Sequence, residues 1–184
     1  MMGHSNFGSY SIYLMKLYSA GFDESIRIWD IGTGDCLHIL NPKLGLTGRL
    51  VVASNNVVSH HRTYSSDQVQ SHTLVWNNTT GKIIHRFESR PYPQKPPSSS
   101  QIAVENNQII EAFERGVPSP HTQFKIWDMV SGVLVREFSI NTSGTVVASS
   151  LAGGFYTAIV KQGSGDVLSL EIWELREFIQ FNKG

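Results

Sequence analysis

Seven histidines, one cysteine and fifteen carboxylates are the side chains of this 184-residue chain with the greatest chemical reach. His60-His61, followed by His72, have the composition of a metal site. Adjacent residues of a strand project to opposite faces, however, and no Asp or Glu accompanies them at a ligand-motif spacing, so they read as strand or loop histidines. HExxH, GxSxG and GxxxxGK[ST] are all absent from the sequence, which removes the commonest zinc-hydrolase, serine-hydrolase and phosphate-cradle signatures. The glycine-containing stretch SGTVVASSLAGG, from Ser143, falls in the register of a strand and its turn. Cys36 shares a position with Ile83 and Leu134 and is expected to be a small buried apolar residue rather than a nucleophile. No catalytic, metal-ligating or cofactor-binding residue is assigned.

The bulk properties point the same way. Fifteen basic and fifteen acidic residues cancel, leaving no net field toward nucleic acid or an anionic membrane. Basic residues sit singly, without an aromatic-interleaved stripe, so no nucleic-acid role is expected. A single cysteine cannot build a disulfide framework and favours a reducing compartment. No apolar run approaches a membrane span, and MMGHSNFGSY lacks the basic and apolar regions of a signal peptide. The expectation is an intracellular protein, cytoplasmic or nuclear.

The elements that would position functional groups repeat. Trp29, Trp76, Trp127 and Trp173 stand 47, 51 and 46 residues apart. Ile28, Val75, Ile126 and Ile172 precede them, and Gly34, Gly81 and Gly132 follow the first three by five residues, each after Thr33, Thr80 or Ser131. Upstream, apolar runs break at Asn55-Asn56, Asn106-Asn107 and Ala152-Gly153, residue types that tolerate the positive φ of tight hairpin turns. Each unit therefore reads as four antiparallel strands, A to D, in two hairpins. Such a period is the signature of a β-propeller blade. The fold class is all-β, with about four blades in a partial or shortened propeller. One region, 1–184, contains units at approximately 3–40, 47–88, 100–139 and 144–184, with a Pro/Ser-rich linker at 89–100. LEIWELREFIQF, at the C-terminal end, is the one segment with helical character.

The first unit, with Gly3-His4, Ser19-Ala20-Gly21, Asp23 and Trp29-Asp30, resembles the WD40 repeat. The resemblance implies a hydrogen-bonded structural network of His4, Ser19, Asp23 and Trp29 tying the strands of the blade together. The other units depart from it: six residues before their Trp they carry Gln70, His121 and Val167, and Trp is followed by Asn77, Asp128 and Glu174. Family propellers usually close with more blades, so this chain reads as part of a longer propeller, an arc completed by self-association with a second chain, or a four-bladed closure.

The resemblance also implies that the B–C and D–A loops gather on one face where partners dock. Loops SSDQVQS, RGVPSPH and QGSGD are longer than the first unit's GFDES, and the linker SRPYPQKPPSSS joins the same face. Phe22, Arg90, Tyr92, Arg115 and His121 are the candidate partner-binding residues, aromatic and Arg side chains being apt hot spots. The expected function is non-catalytic: a scaffold for protein or peptide partners, of the kind the family supplies to ubiquitin ligases, signalling complexes and RNA-processing or trafficking assemblies. The alternatives are a propeller enzyme or ligand-binding protein with a site at the central channel, and a degenerate truncated paralogue without a partner.

Overall fold

The computed structural model describes residues 7–41, 43–44, 46–64, 69–88, 100–115, 120–162 and 167–175. Fifteen strands and no helix occur among them. Blade 1 is β1 (Phe7–Tyr13), β2 (Lys16–Gly21), β3 (Ile26–Asp30) and β4 (Cys36–Leu40); blade 2 is β5 (Leu46–Ala53), β6 (Asn56–Tyr64), β7 (Val69–Asn77) and β8 (Ile83–Glu88). Blade 3 is β9 (Ser100–Glu105), β10 (Gln108–Arg115), β11 (His121–Asp128) and β12 (Leu134–Asn141); blade 4 is β13 (Thr145–Ala152), β14 (Phe155–Lys161) and β15 (Leu168–Glu174). Strands pair antiparallel with their sequence neighbours, giving three four-stranded sheets and one three-stranded sheet among the described residues. The chain divides into two compact units, Met1–Pro96 with blades 1 and 2 and Pro97–Gly184 with blades 3 and 4.

The C–D turn shows why Trp is followed by Asp or Asn. The register shifts at each of Trp29, Trp76 and Trp127, a bulge that redirects the chain into the turn. Oδ1 of the next residue then accepts the backbone N–H of the turn hydroxyl residue: Thr33 to Asp30 at 2.9 Å, Thr80 to Asn77 at 2.8 Å and Ser131 to Asp128 at 2.6 Å. Asp and Asn are interchangeable here because both present an acceptor oxygen at the same reach. The glycine N–H bonds back to the same residue's carbonyl at 2.8–2.9 Å, with φ of 66–76° at Gly34, Gly81 and Gly132. That conformation suits glycine because it lacks Cβ.

A second bond ties the two hairpins of each blade together. The N–H two residues past each Trp donates to the carbonyl of the A–B turn: Ile31 to Met15, Asn78 to Asn55, Met129 to Asn107 and Leu175 to Gly154, at 2.7–3.0 Å. These partners place the A–B turns at Leu14-Met15, Ser54-Asn55, Asn106-Asn107 and Gly153-Gly154. The expected pairs Asn55-Asn56 and Ala152-Gly153 are thus each one residue out of register: Asn56 opens β6 and Ala152 ends β13. The Leu14-Met15 turn carries no sequence cue at all, with φ of 44° and 58° on two bulky residues. The helical option at the C-terminal end is also corrected, since residues 168–174 form β15; its last residues lie outside the described ones.

The core of each unit lies between its two sheets. In the first, Tyr18, Ala20, Ile26, Ile28 and Leu40 of blade 1 meet Leu50, Val57, Leu74 and Trp76 of blade 2. In the second, Ala103, Ile110, Ala112, Phe124 and Ile126 of blade 3 meet Val146, Leu151, Tyr156, Ala158 and Val160 of blade 4. Cys36 is not part of either core. It opens the outer strand β4, immediately after the turn, and is exposed, which overturns its expected burial.

Left-handed backbone costs an ordinary residue about 1–2 kcal/mol. Replacing Leu14-Met15 with Asn-Gly, the favoured pair for a turn with both φ positive, is expected to raise unfolding stability by about 1–2 kcal/mol, read by urea denaturation.

Candidate functional site

Each blade centres on a tryptophan whose indole N–H needs an acceptor once it is shielded from water. In blade 1, Trp29 Nε1 donates to Ser19 Oγ at 2.8 Å. Blade 2 repeats this with Trp76 Nε1 and Ser59 Oγ at 2.8 Å, and Ser59 Oγ lies 2.7 Å from His61 Nε2. Blade 3 substitutes a carboxylate: Trp127 Nε1 donates to Glu111 Oε2 at 2.9 Å. Ser19 was already named beside Trp29 by the resemblance, but the acceptors of blades 2 and 3 were not found by counting from Trp, because the B–C loop between acceptor and Trp varies in length. Counting four residues from the second A–B turn residue finds them: Ser19, Ser59 and Glu111, with Ala158 in that place in blade 4.

Asp23 of the expected network also makes contacts within its own loop. Its Oδ1 accepts from Ser25 N–H at 3.3 Å and Ser25 Oγ–H at 2.9 Å, and its Oδ2 pairs with Arg27 Nη2 at 3.0 Å. His4 lies outside the described residues.

The histidines of blade 2 are interior groups. His60 and His61 point to opposite faces of β6 and both are buried. His60 Nδ1 lies 3.0 Å from Thr73 Oγ1. His61 stands opposite His72, which stands opposite Glu88. Burial, then Arg62 and neighbouring His and Arg charges, push the His60 imidazole down to about 3. Burial also lowers His72, with Arg86 adding to this and Glu88 opposing it. Among the described residues, no group of three His, Cys, Asp or Glu side chains gathers to hold a metal.

Further polar contacts join neighbouring blades. Asn78 Nδ2 of blade 2 donates to Tyr18 OH of blade 1 at 2.7 Å. In the second unit, Glu114 of blade 3 accepts from the Tyr156 hydroxyl at 3.1 Å and from Ser149 Oγ, both of blade 4, while Thr122 Oγ1 lies 3.1 Å from the Tyr156 oxygen. Burial raises the Tyr156 phenol well above its ordinary value. These groups are interior pairings, and sequence reasoning missed them because they join residues 34 to 60 positions apart.

Of the loop candidates, Phe22 has the clearest setting. It is 53% exposed in the B–C turn of blade 1, beside the Asp23–Ser25–Arg27 clamp and the 3.1 Å Gly21 N–H to Ser25 carbonyl bond. Arg115 and His121 are brought together as directly paired residues at the ends of β10 and β11, His121 half-buried. Phe22 belongs to the first compact unit and the Arg115–His121 pair to the second. Arg90 and Tyr92 lie outside the described residues, as do residues 65–68, 116–119 and 163–166.

With the geometry in place, comparison with solved structures gives the fold. The chain aligns to the WD40 repeats of RRP9 with a TM-score of 0.66 at 15% identity, covering 98% of this chain and 52% of that one. U3-55K gives 0.64 at 16% identity with the same coverages. The architecture is that of WD40 propeller blades. A computationally designed protein, Ika4, matches at 0.65 and 20% identity over 94% of both chains. No protein-family profile matches the chain. Among curated proteins, a probable E3 ubiquitin ligase complex SCF subunit, sconB, of Arthroderma benhamiae is 22% identical over 135 residues, 66% of this chain and 20% of that protein. The sconB of Trichophyton verrucosum gives the same figures. The chain thus spans a fifth of the length of the curated relatives it matches. No described helix is long and apolar enough to cross a membrane.

Two measurements test the interior chemistry. Ser59→Ala strips an acceptor from Trp76 and a partner from His61, so it should cost about 2–4 kcal/mol in a denaturant titration, more than Ser19→Ala, whose tryptophan is only half-buried. An unfolded His titrates near 6.5. Between about 3 and 6.5 the unfolded chain therefore binds a proton that folded His60 does not, and stability falls as pH drops through that window. His60→Asn, which keeps a hydrogen-bonding group toward Thr73, should flatten the decline in melting temperature between pH 7 and 5.

Proposed function

We propose that this chain is a non-catalytic WD40-type scaffold that holds protein or peptide partners on its B–C and D–A loops. The observation that carries the reading is Phe22, an exposed aromatic on a short turn whose backbone is pinned by Asp23, Ser25 and Arg27. A large apolar side chain held in place before binding loses little conformational entropy on contact, which is what a hot spot needs. Arg115 and His121 offer a second polar anchor, and the Pro-rich segment with Arg90 and Tyr92 a third.

Similarity to an SCF ubiquitin-ligase subunit and to WD40-repeat chains supports a role in holding proteins together. His60, His61 and the carboxylates of Glu111 and Glu114 support a non-catalytic reading, since each meets a partner inside the blades.

The test is affinity capture with the intact chain and loop variants, followed by quantitative mass spectrometry. Phe22→Ala is expected to lower recovery of the specific partner set about tenfold, the effect of losing one hot spot, without changing the melting temperature. An Arg90→Ala/Tyr92→Ala variant is expected to deplete a subset. Equal recovery by every loop variant would exclude the loop face as the docking surface.

A further inference from the structure

Each compact unit contains one blade-to-blade interface, and the two are built alike. The side that carries the tryptophan faces the preceding blade: Leu50, Val52 and Trp76 of blade 2 pack toward Tyr18, Ala20, Ile26 and Ile28 of blade 1. In the second unit Leu151, Tyr156 and Trp173 of blade 4 pack toward Ala112, Phe124 and Ile126 of blade 3, with the Phe124 and Tyr156 rings 5.2 Å apart. The receiving side consists of the residues one and three before each Trp, with their cross-strand partners: Ile28 and Ile26 with Tyr18 and Ala20, and Ile126 and Phe124 with Ile110 and Ala112. All eight are fully buried.

Of the blade sides that these two interfaces leave, one on blade 4 and one on blade 1 display exposed apolar residues. Blade 4 has its own receiving side, where Ile172 and Leu170 pair with Thr157 and Ile159. Here Leu170 is 66% and Ile172 60% exposed, and Ile159 and Leu168 are exposed beside them. Blade 1 has its own tryptophan side. Tyr10 pairs with Ser19 and Ile12 with Leu17, in the register in which Leu50 pairs with Ser59 and Val52 with Val57. Leu50 is buried and Val52 packs in the core, whereas Tyr10 and Ile12 are both 62% exposed.

We infer that these two faces are complementary halves of one interface, and that the occupant of each is a second copy of this chain, docked head to tail. Continuity with the interface already formed within each unit carries the assignment: blade 4 displays the surface that blades 1 and 3 use to receive a tryptophan side, and blade 1 displays a tryptophan side. One chain supplies both halves, so a second copy is a sufficient partner for either. Apolar faces of this kind on a soluble chain mark interaction surfaces. The contact is heterologous, face to opposite face. It rests on the blade fold and not on loop docking, so either reading can fail without the other.

The experiment is light scattering on the purified 184-residue chain across a dilution series, with circular dichroism to confirm folding. The wild-type chain is expected to show a mass above that of a single 20.5-kDa chain. Ile12→Lys and Leu170→Glu, both at exposed positions, are each expected to shift the association midpoint to roughly 10- to 100-fold higher concentration with the β-spectrum intact. Mixing the two variants should restore association, because one junction is then wild-type on both sides and the other pairs Lys with Glu. A folded wild-type chain of single-chain mass at every concentration overturns the proposal. So does a mixture that associates no better than its components, the result expected of two like faces in contact.

Discussion

The bond from the N–H two residues beyond each tryptophan to the carbonyl of the A–B turn is the constraint on which this structure depends. It occurs in all four blades at 2.7–3.0 Å. A hairpin alone is marginal in water and can slip in register. This bond joins the turn of the A–B hairpin to the residue that follows strand C, so strands A to C cannot slide without breaking it. In blades 1 to 3 a bulge at the tryptophan accompanies it, turning the chain where the Asp or Asn side chain closes the C–D turn. Trp-Asp is therefore a turn device as much as a core device.

Around that frame the blades solve one polar problem in different ways. An indole N–H must be satisfied, and Ser19, Ser59 and Glu111 each do so from the same strand-B position. A serine oxygen meets the indole from close by, and a glutamate reaches it from a longer side chain. Blade 2 adds His61 to the serine and brings His60 and His72 into the interior nearby. Such networks specify register because a one-residue slip would strand every member without a partner. They also make the interior sensitive to acid, since a buried imidazole accepts a proton only by giving up its environment.

The functional reading follows from what this frame leaves outside. Ser59, His61, Glu111, Glu114 and Tyr156 are engaged inside the blades, while Phe22 stands exposed on a turn fixed by an ion pair and hydrogen bonds. The apolar faces at the first and last blades are of a different kind: they continue the strand pattern and carry the residue types that are buried elsewhere in the chain. The two proposals therefore rest on chemically distinct features, small anchored contacts on loops and extended apolar contacts on faces.

Blade number, strand class and the C–D turns were legible in the amino-acid order, because their determinants are local. Gly34, Gly81 and Gly132, with their hydroxyl and Asp or Asn companions, act within a few residues of one another. Phe22 was legible as a loop aromatic for the same reason. The A–B turns were read one residue out at Ser54-Asn55 and Gly153-Gly154, and went unseen at Leu14-Met15, where strand pairing holds residues that disfavour the conformation. The indole acceptors Ser59 and Glu111 were hidden by loops of unequal length, and Cys36 lost its expected burial because its strand is the outermost one. Burial itself is the clearest case. Ile28, Val75, Ile126 and Ile172 occupy one sequence position, yet the first three are buried and Ile172 is exposed. The apolar pattern is written in the chain, but removal of those side chains from water requires a neighbouring sheet, and that is a property of tertiary structure alone.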